Sequence, residues 1–301
     1  MSALPEKVLL ATDGSEDAAL AAQAAGGLCA KTGAELHIVH ALRLSAARPY
    51  PAPPYFSEGV VDALERDSRR LLEREVGRVE GEGARDVQAH LRMGTPIDVV
   101  LETAEEVGAG LVVMGSRGLG PIKRLLLGSV CEGVVHHAAF PVLVVRGGDG
   151  SWPPQRIVFG DDGSEAAKEA VELAALIGRL SGAGGLLVRA YPEMPETDLE
   201  GRGWDARLVN DELRREEWKL EERAGEVSRL LGVRPKVRVA VGDPAVCLLE
   251  AAEGDSTPER TLVAVGSRGL GAVGRVRLGS VSTNVLRAAR GPVLVYPERR
   301  N

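Results

Sequence analysis

Aromatic residues make up only 3% of this 301-residue sequence: three tryptophans, four tyrosines and three phenylalanines. That scarcity removes the stacking platform on which single-stranded nucleic acids are held. Positive charge is not in excess either, since 37 lysines and arginines face 43 aspartates and glutamates for a formal net charge of −6. A nucleic-acid binder would carry a basic face, so that class is set aside, and the negative balance favours solubility. Cysteine is sparse. Cys29, Cys131 and Cys247 share no metal-type or redox-type spacing, and an odd number suits a reducing compartment. No run of 18 apolar residues occurs, and Met1 to Lys7 has neither the basic nor the apolar segment of a signal peptide. The expectation is a cytoplasmic protein that does not contact the membrane. Two phosphate-binding signatures are also missing: there is no Gly-x4-Gly-Lys-Ser/Thr, and no Rossmann glycine fingerprint follows the first strand-like run.

What the chain does contain is a phrase written twice. Gly115-Ser116-Arg117-Gly118 is followed after nine residues by Gly128-Ser129, and Gly266-Ser267-Arg268-Gly269 after nine residues by Gly279-Ser280. Each copy follows an apolar run, Leu111 to Met114 or Leu262 to Val265, and leads to a second, Pro141 to Val145 or Pro292 to Tyr296. The duplication reaches further. Val8 to Glu16, containing Asp13-Gly14-Ser15, answers Ile157 to Glu165, containing Asp162-Gly163-Ser164, and Gly94-Thr95-Pro96 answers Gly242-Asp243-Pro244. The offset stays between 148 and 151 residues, so the halves differ by small insertions only. The glycine- and proline-rich stretch between them sets the expected domains at 1–147 and 156–301, with 148–155 as linker. Domains of about 150 residues bury enough apolar surface to fold without a disulfide or a metal.

Within each half, apolar strand-like runs alternate with helical patterns, the mark of right-handed crossovers and a parallel sheet. Strands are expected near 6–12, 34–41, 86–92, 110–115 and 141–146, and again near 156–161, 185–191, 235–241, 261–266 and 292–296. Helices should begin near Ser15, Ser57, Thr95 and Ser129, and a long one should run over 204–231 with Leu208, Leu220, Ala224, Val227 and Leu231 as its stripe. The fold class is therefore α/β, as two tandem open five-stranded, mostly parallel sheets flanked by helices. Ser45 to Phe56 and Pro192 to Gly203 read as long surface loops, suited to a lid or to docking a partner.

In an open parallel sheet, ligands bind beyond the carboxyl ends of the strands at the switch point, which brings the ends of the first and fourth strands into one crevice. Glycines let a backbone turn tightly and approach a ligand, and a Gly-Ser step opening a helix offers bare N–H groups and the positive end of the helix dipole to an anion. Two such places point to phosphate, and most simply to a nucleotide. Lys123, Arg124, Arg275 and Arg277, inside the nine-residue inserts, add positive charge. The bland readings are a tight turn for the glycines, a helix cap for Asp13 and Asp162, and capping or core roles for His40, His136 and His137.

The combination of Gly-x2-Gly-x9-Gly-Ser with Asp-Gly-Ser after the first strand and Pro-Val-Leu-Val at the end resembles the universal stress protein family, over nearly the whole chain and once in each half. The resemblance implies the adenine-nucleotide α-hydrolase-like fold of the ATP-binding branch, with ATP as ligand together with Mg²⁺. In the first half it implies that Ala11, Asp13, Ala41, Met114, Gly115, Arg117, Gly118, Gly128, Ser129, Val130 and Cys131 surround the nucleotide. In the second half the same is implied for Gly160, Asp162, Ala190, Val265, Gly266, Arg268, Gly269, Gly279, Ser280, Val281 and Ser282. Cys131 departs from the Ser or Thr usual at that place, retained as Ser282, so the two sites are expected to be unequal by about 1 kcal/mol, the worth of one neutral hydrogen bond. No side chain is assigned a catalytic or metal-ligating role. The expected function is nucleotide-dependent regulation in a stress response with little or no turnover; the alternatives are a nucleotide-free scaffold, or a slow ATP-hydrolysing or adenylyl-transferring enzyme. The adenylyl-transfer signatures His-x-Gly-His and Ser-Gly-Gly-x-Asp do not occur.

By the same resemblance, the last strands, Val142 to Val145 and Val293 to Tyr296, pair within one chain to form a pseudo-dimer, with further homo-oligomerisation possible. Proteolysis of the linker between Gly147 and Ser151 should then leave the two fragments together on a sizing column. Fragments that elute apart contradict the pairing.

Overall fold

The computed structural model describes residues 3–43, 58–118, 127–148, 151–191, 206–254, 257–267 and 278–298. The long loops over 45–56 and 192–203, the helix start at Ser57, and Lys123, Arg124, Arg268, Gly269, Arg275 and Arg277 lie outside these residues. The chain divides into two compact units that part between Trp152 and Pro153.

The first unit runs β1 (Lys7–Ala11), α1 (Glu16–Thr32), β2 (Glu35–Leu42), α2 (Glu58–Gly81), β3 (Val87–Met93), α3 (Pro96–Val107), β4 (Leu111–Gly115), α4 (Ser129–His137) and β5 (Val142–Val145). The second repeats it as β6 (Arg156–Gly160), α5 (Glu165–Ser181), β7 (Gly184–Tyr191), α6 (Ala206–Leu231), β8 (Lys236–Val241), α7 (Pro244–Glu253), β9 (Thr261–Gly266), α8 (Ser280–Ala288) and β10 (Val293–Tyr296), with one short 3-10 turn at Pro258–Arg260. Strand order is β3-β2-β1-β4-β5 in the first unit and β8-β7-β6-β9-β10 in the second. Every pairing within a unit is parallel. The expected strands therefore form, with ends shifted by no more than about two residues.

Burial accounts for the sequence character of these strands. Val8, Leu9, Leu10, Leu111, Val112, Val113, Leu143 and Val144 are wholly buried, as are Ile157, Val158, Phe159, Leu262, Val263 and Ala264, so both sheet faces are covered and the strands read as continuous apolar runs. Helix α1 meets its sheet through buried Ala18, Ala21, Ala22, Ala24 and Ala25, and these small side chains bring the helix backbone close to the strands. Ser15 caps α1 and Ser164 caps α5, each hydroxyl oxygen accepting an N–H three residues on at 3.2 Å.

The helices that follow β2 and β7 differ in one respect. In α6 the inward stripe is Leu220, Ala224, Val227 and Leu231, all apolar and buried. In α2 it is Ser68, Leu72, Glu75 and Val79, and Glu75 is only 3% exposed. Its Oε2 has no hydrogen-bond partner among the described residues, and Arg78 lies 3.7 Å from Oε1. Burial pushes the Glu75 carboxyl above the usual carboxylate range, with Arg78 and Arg74 pulling it down and Asp13 pushing it further up. A raised folded value means that folding is penalised as pH rises above the unfolded carboxylate value. Glu75→Met should therefore raise the stability of the first unit at neutral pH by about 1–2 kcal/mol, with the gain vanishing in acid. Urea denaturation at both pH values measures it, and a destabilised variant at neutral pH contradicts it.

Candidate functional site

Strand order reverses between β1 and β4, and between β6 and β9, so a crevice opens at the carboxyl end of each pair. The repeated phrases sit there. Strand β4 ends at Gly115, where an added Cβ would lie 2.6 Å from the Asp17 carbonyl carbon and 2.8 Å from the Ala18 nitrogen. The first turn of α1 thus packs directly on the strand end, and only glycine leaves room. Gly266 repeats this against Ala167 nitrogen, at 2.7 Å. A Cβ on Gly118 would overlap the carboxylate of Asp13. The chain then leaves for nine residues and returns to the point of departure: Gly128 N–H donates to the Ser116 carbonyl at 2.9 Å, and Gly279 N–H to the Ser267 carbonyl at 2.7 Å.

Helices α4 and α8 begin at these returns. Their cap residues are Gly128 and Gly279, and neither helix has a side-chain cap. The first N–H groups, those of Ser129, Val130 and Cys131 and of Ser280, Val281 and Ser282, have no partner inside their helices. Ser129 and Ser280 are exposed. Asp13 and Asp162 each accept the N–H of the serine two residues on, at 3.0 and 2.9 Å, across glycines at φ +78° and +83°. Asp13 is half-buried and Asp162 exposed. Ala41 and Ala190, near the ends of β2 and β7, are half-buried; Ala11, Gly160, Met114 and Val265 are buried strand residues beside the crevice. Ser282 directs its hydroxyl inward, to the carbonyls of Ser267 and Gly279 at 3.0 and 3.1 Å. Cys131 is 2% exposed, and burial pushes its thiol up to about 12. Arg268 and Gly269 fall outside the described residues.

Each crevice has polar partners that the sequence did not announce. In the first, Asp17 accepts from Ser116 Oγ at 2.6 Å and from Arg117 Nε and Nη2 at 3.0 and 3.3 Å, while Ser15 Oγ donates to the Arg117 carbonyl at 3.2 Å. The motif arginine is thereby held against α1. Ala166 replaces Asp17 in the second half, and Ser267 Oγ instead accepts the Glu298 N–H at 3.0 Å. There the polar cluster is built on Asp161, the residue before Asp162. Asp161, 5% exposed, accepts from Arg189 Nη2 at 2.9 Å, and Arg189 also donates to the Asp161 carbonyl at 3.0 Å and to Glu216 at 2.7 Å. Burial opposes ionisation of Arg189, but Glu216 and Asp161 outweigh it and hold the guanidinium charged. Lys219 and Arg189 hold Glu216 below the usual carboxylate range. The first half has Thr12 and His40 at these places, with His40 Nδ1 2.8 Å from the Thr12 carbonyl.

The sequence pattern described as the Universal stress protein family matches residues 5–146 and again 154–297. The chain belongs to that family. It is 32% identical over 297 residues to a universal stress protein of Mycobacterium tuberculosis, covering 96% of each chain. A solved universal stress protein from Archaeoglobus fulgidus shares the fold, with a TM-score of 0.68 at 23% identity and coverage of 98% of this chain and 99% of that one. A universal stress protein solved in complex with cAMP is 29% identical, with a TM-score of 0.37, and covers 48% of this chain and 98% of its own. The family match thus falls once on each half of a tandem universal stress protein. No helix among the described residues is long and apolar enough to cross a membrane.

The Asp17 contacts give a test of how the first motif turn is held. Asp17→Ala copies the second half at Ala166 and strips Ser116 and Arg117 of their acceptor. It should destabilise the first unit by about 1–3 kcal/mol, the cost of leaving charge-assisted partners unmet. Hydrogen exchange of 111–118 and urea denaturation both read the effect. An unchanged midpoint and unchanged exchange exclude the clamp.

Proposed function

We propose that this universal stress protein is an ATP-binding regulatory protein of a stress response, with one adenine-nucleotide site in each half and little or no turnover. The observation that carries the reading is the matched return of Gly128 to Ser116 and of Gly279 to Ser267. Each return aims an uncapped helix start at the crevice where Asp13 or Asp162 turns. Main-chain N–H groups at a helix start, with the dipole behind them, suit a polyphosphate better than any neutral ligand. The residues around it are those carried over by resemblance: Ala11, Asp13, Ala41 and Met114 with Gly115, Arg117, Gly118 and Gly128 to Cys131, and their second-half counterparts.

Mg²⁺ fits the donor set in a limited way. Among the described residues no group of three or more His, Cys, Asp or Glu side chains is placed to cage a metal ion. Mg²⁺ is normally held by one or two carboxylates together with phosphate oxygens and water, so Asp13 or Asp162 would supply the single protein carboxylate. The ion would neutralise phosphate charge beside that carboxylate. Ser282 bonds to two carbonyls, so the inequality expected from Cys131 would act by loosening the closure of the first motif loop.

The described residues of the crevices support slow turnover. Phosphoryl transfer requires a group that orients the attacking water in line with the leaving oxygen. His40 has its Nδ1 bonded to the Thr12 carbonyl, and Arg117 is shared with Asp17. ATP occupancy would then act by biasing conformation or partner choice, in the cytoplasm and away from nucleic acid and membrane.

Mass spectrometry of small molecules released on denaturing the purified protein should find an adenine nucleotide, and calorimetry should show ATP binding at two sites. In the Gly118→Val, Gly269→Val double variant, affinity should fall at least about tenfold, because a side chain at Gly118 collides with Asp13. Empty wild-type protein that ignores ATP in the calorimeter leaves the scaffold alternative standing. Hydrolysis faster than a few turnovers per minute would establish an enzyme.

A further inference from the structure

Away from the motif turns, on strands β2 and β3 of the first half, buried His37 meets half-buried His90. His37 on β2 is 3% exposed, and its Nδ1 lies 2.9 Å from Nε2 of His90 on β3. The ring centroids are 5.1 Å apart and the planes are inclined by 20°. A separation that long with nitrogens that close means the rings meet edge to edge, nearly coplanar, with one N–H donating to the other ring's lone pair. His37 pairs in register with Gln88, and Val39 with His90, so both imidazoles project from the same sheet face. That face is not the one covered by α1. Gly115 abuts α1, and the parity set by the β1–β4 and β1–β2 registers puts His37 opposite, beneath α3.

The charged groups around the pair come from every element packed there. Glu35 on β2 has Oε1 3.3 Å from His37 Nε2, outside hydrogen-bond alignment, so that buried nitrogen has no hydrogen-bond partner among the described residues. Lys7 on β1 lies 3.4 Å from Glu35 Oε2, and Gln88 on β3 donates to Glu35 Oε1 at 2.5 Å. On the other side Arg92 of β3 and Glu106 of α3 pair at 2.7 Å and act on His90.

We propose that the His37–His90 pair is an acid-sensitive latch that holds edge strand β3 to the first-half sheet and releases it when the cell interior acidifies. The bond needs one protonated and one bare nitrogen between the rings. Protonating both would set two N–H groups against each other at 2.9 Å, and one ring must then leave. His37 is locked in the sheet, so His90 moves, and β3 moves with it. Among the described residues β3 has a single strand partner, β2. Burial pushes both imidazoles below the usual histidine range; Glu35 and Glu106 pull up, Lys7 and Arg92 down. The folded chain then binds fewer protons than the unfolded chain, so this contribution is full above about pH 6.5 and is lost as pH falls through the lowered folded values.

The second half supplies the control. Register and offset place Leu186 and Arg238 where His37 and His90 stand, and Gly184 at the place of Glu35. Its edge strand β8 thus lacks the latch on the same backbone. Its Glu216, held low by Lys219 and Arg189, gives up stability only when pH falls below the ordinary carboxylate range.

Amide hydrogen exchange on the full chain, corrected for intrinsic rate, decides the matter. Between about pH 7.5 and about pH 5, exchange over 87–93 should quicken at least tenfold while exchange over 236–241 changes less than about threefold. His37→Leu, which copies Leu186, should abolish the difference, and so should His90→Gln on the edge strand, a milder change should the first fail to fold. The proposal is overturned if β3 keeps its protection at the lower pH, if β3 and β8 loosen together, or if a folded variant retains the response.

Discussion

The close approach of a helix backbone to a strand end organises each half of this protein. The first turn of α1 lies so near the end of β4 that a single methyl group at Gly115 would collide with the Asp17 carbonyl carbon, and α5 repeats the contact at Gly266. Because the helix sits there, the turn after β1 is pressed against the turn after β4, and Asp13 comes to rest on Gly118. Because the turn after β4 is fixed, its carbonyl at Ser116 is available to receive the returning chain at Gly128. Gly118 and Gly128, which bracket the nine-residue insert, are therefore held at one point. Alanine-rich packing in α1, the strand order and the phrase of glycines are parts of one steric arrangement, and its by-product is a helix start facing a crevice.

That arrangement explains why the glycines are not interchangeable. Gly115 and Gly266 make room for a neighbouring helix, Gly118 makes room for a carboxylate, and Gly14 and Gly163 supply the left-handed turn that lets the Asp carboxylate reach the serine N–H. A ligand is needed to explain none of these. Packing also favours glycine at Gly128, where an added Cβ would lie 3.1 Å from the Ser116 carbonyl oxygen, and the consequence is that α4, like α8, starts without a capping side chain, while α1 and α5 are capped by serine. The uncapped starts, rather than the glycines as such, carry the case for an anion.

Most of the framework was legible in the chain because parallel strands buried on both faces must be continuous apolar runs, and because the turns need Gly, Asp and Ser at set places. Duplication strengthened the reading, since any accidental match would not recur at a nearly constant offset. Side-chain partnerships were not legible. Asp17 and Arg117 are 100 residues apart, His37 and His90 53 apart, and Asp161 and Arg189 28 apart. No local pattern links them. Glu75 was hidden for another reason: α2 is rich in charge, and only its alignment with Ser68, Leu72 and Val79 on the inward stripe distinguishes it from its exposed neighbours. Ser282 stood inside the motif and read as a ligand donor, yet its hydroxyl joins two turns of main chain.

The two halves share a backbone plan but not their buried polar groups. The first places a histidine pair on β2 and β3 and an aspartate clamp on its motif turn; the second has Leu186 and Ala166 at the places of His37 and Asp17, and instead joins buried Asp161 to half-buried Arg189 and Glu216 at the carboxyl ends. Since each half folds the same way without the other's cluster, neither cluster is a requirement of the fold. Burying charge or an unmet imidazole nitrogen costs stability relative to apolar packing of similar size. Thr12 with His40, and Leu186 with Arg238, show that less demanding solutions fit the same positions. The polar clusters are therefore differences in what each half does: the proposed latch ties the first half to proton concentration through His37 and His90, and the second half has Leu186 and Arg238 at those places.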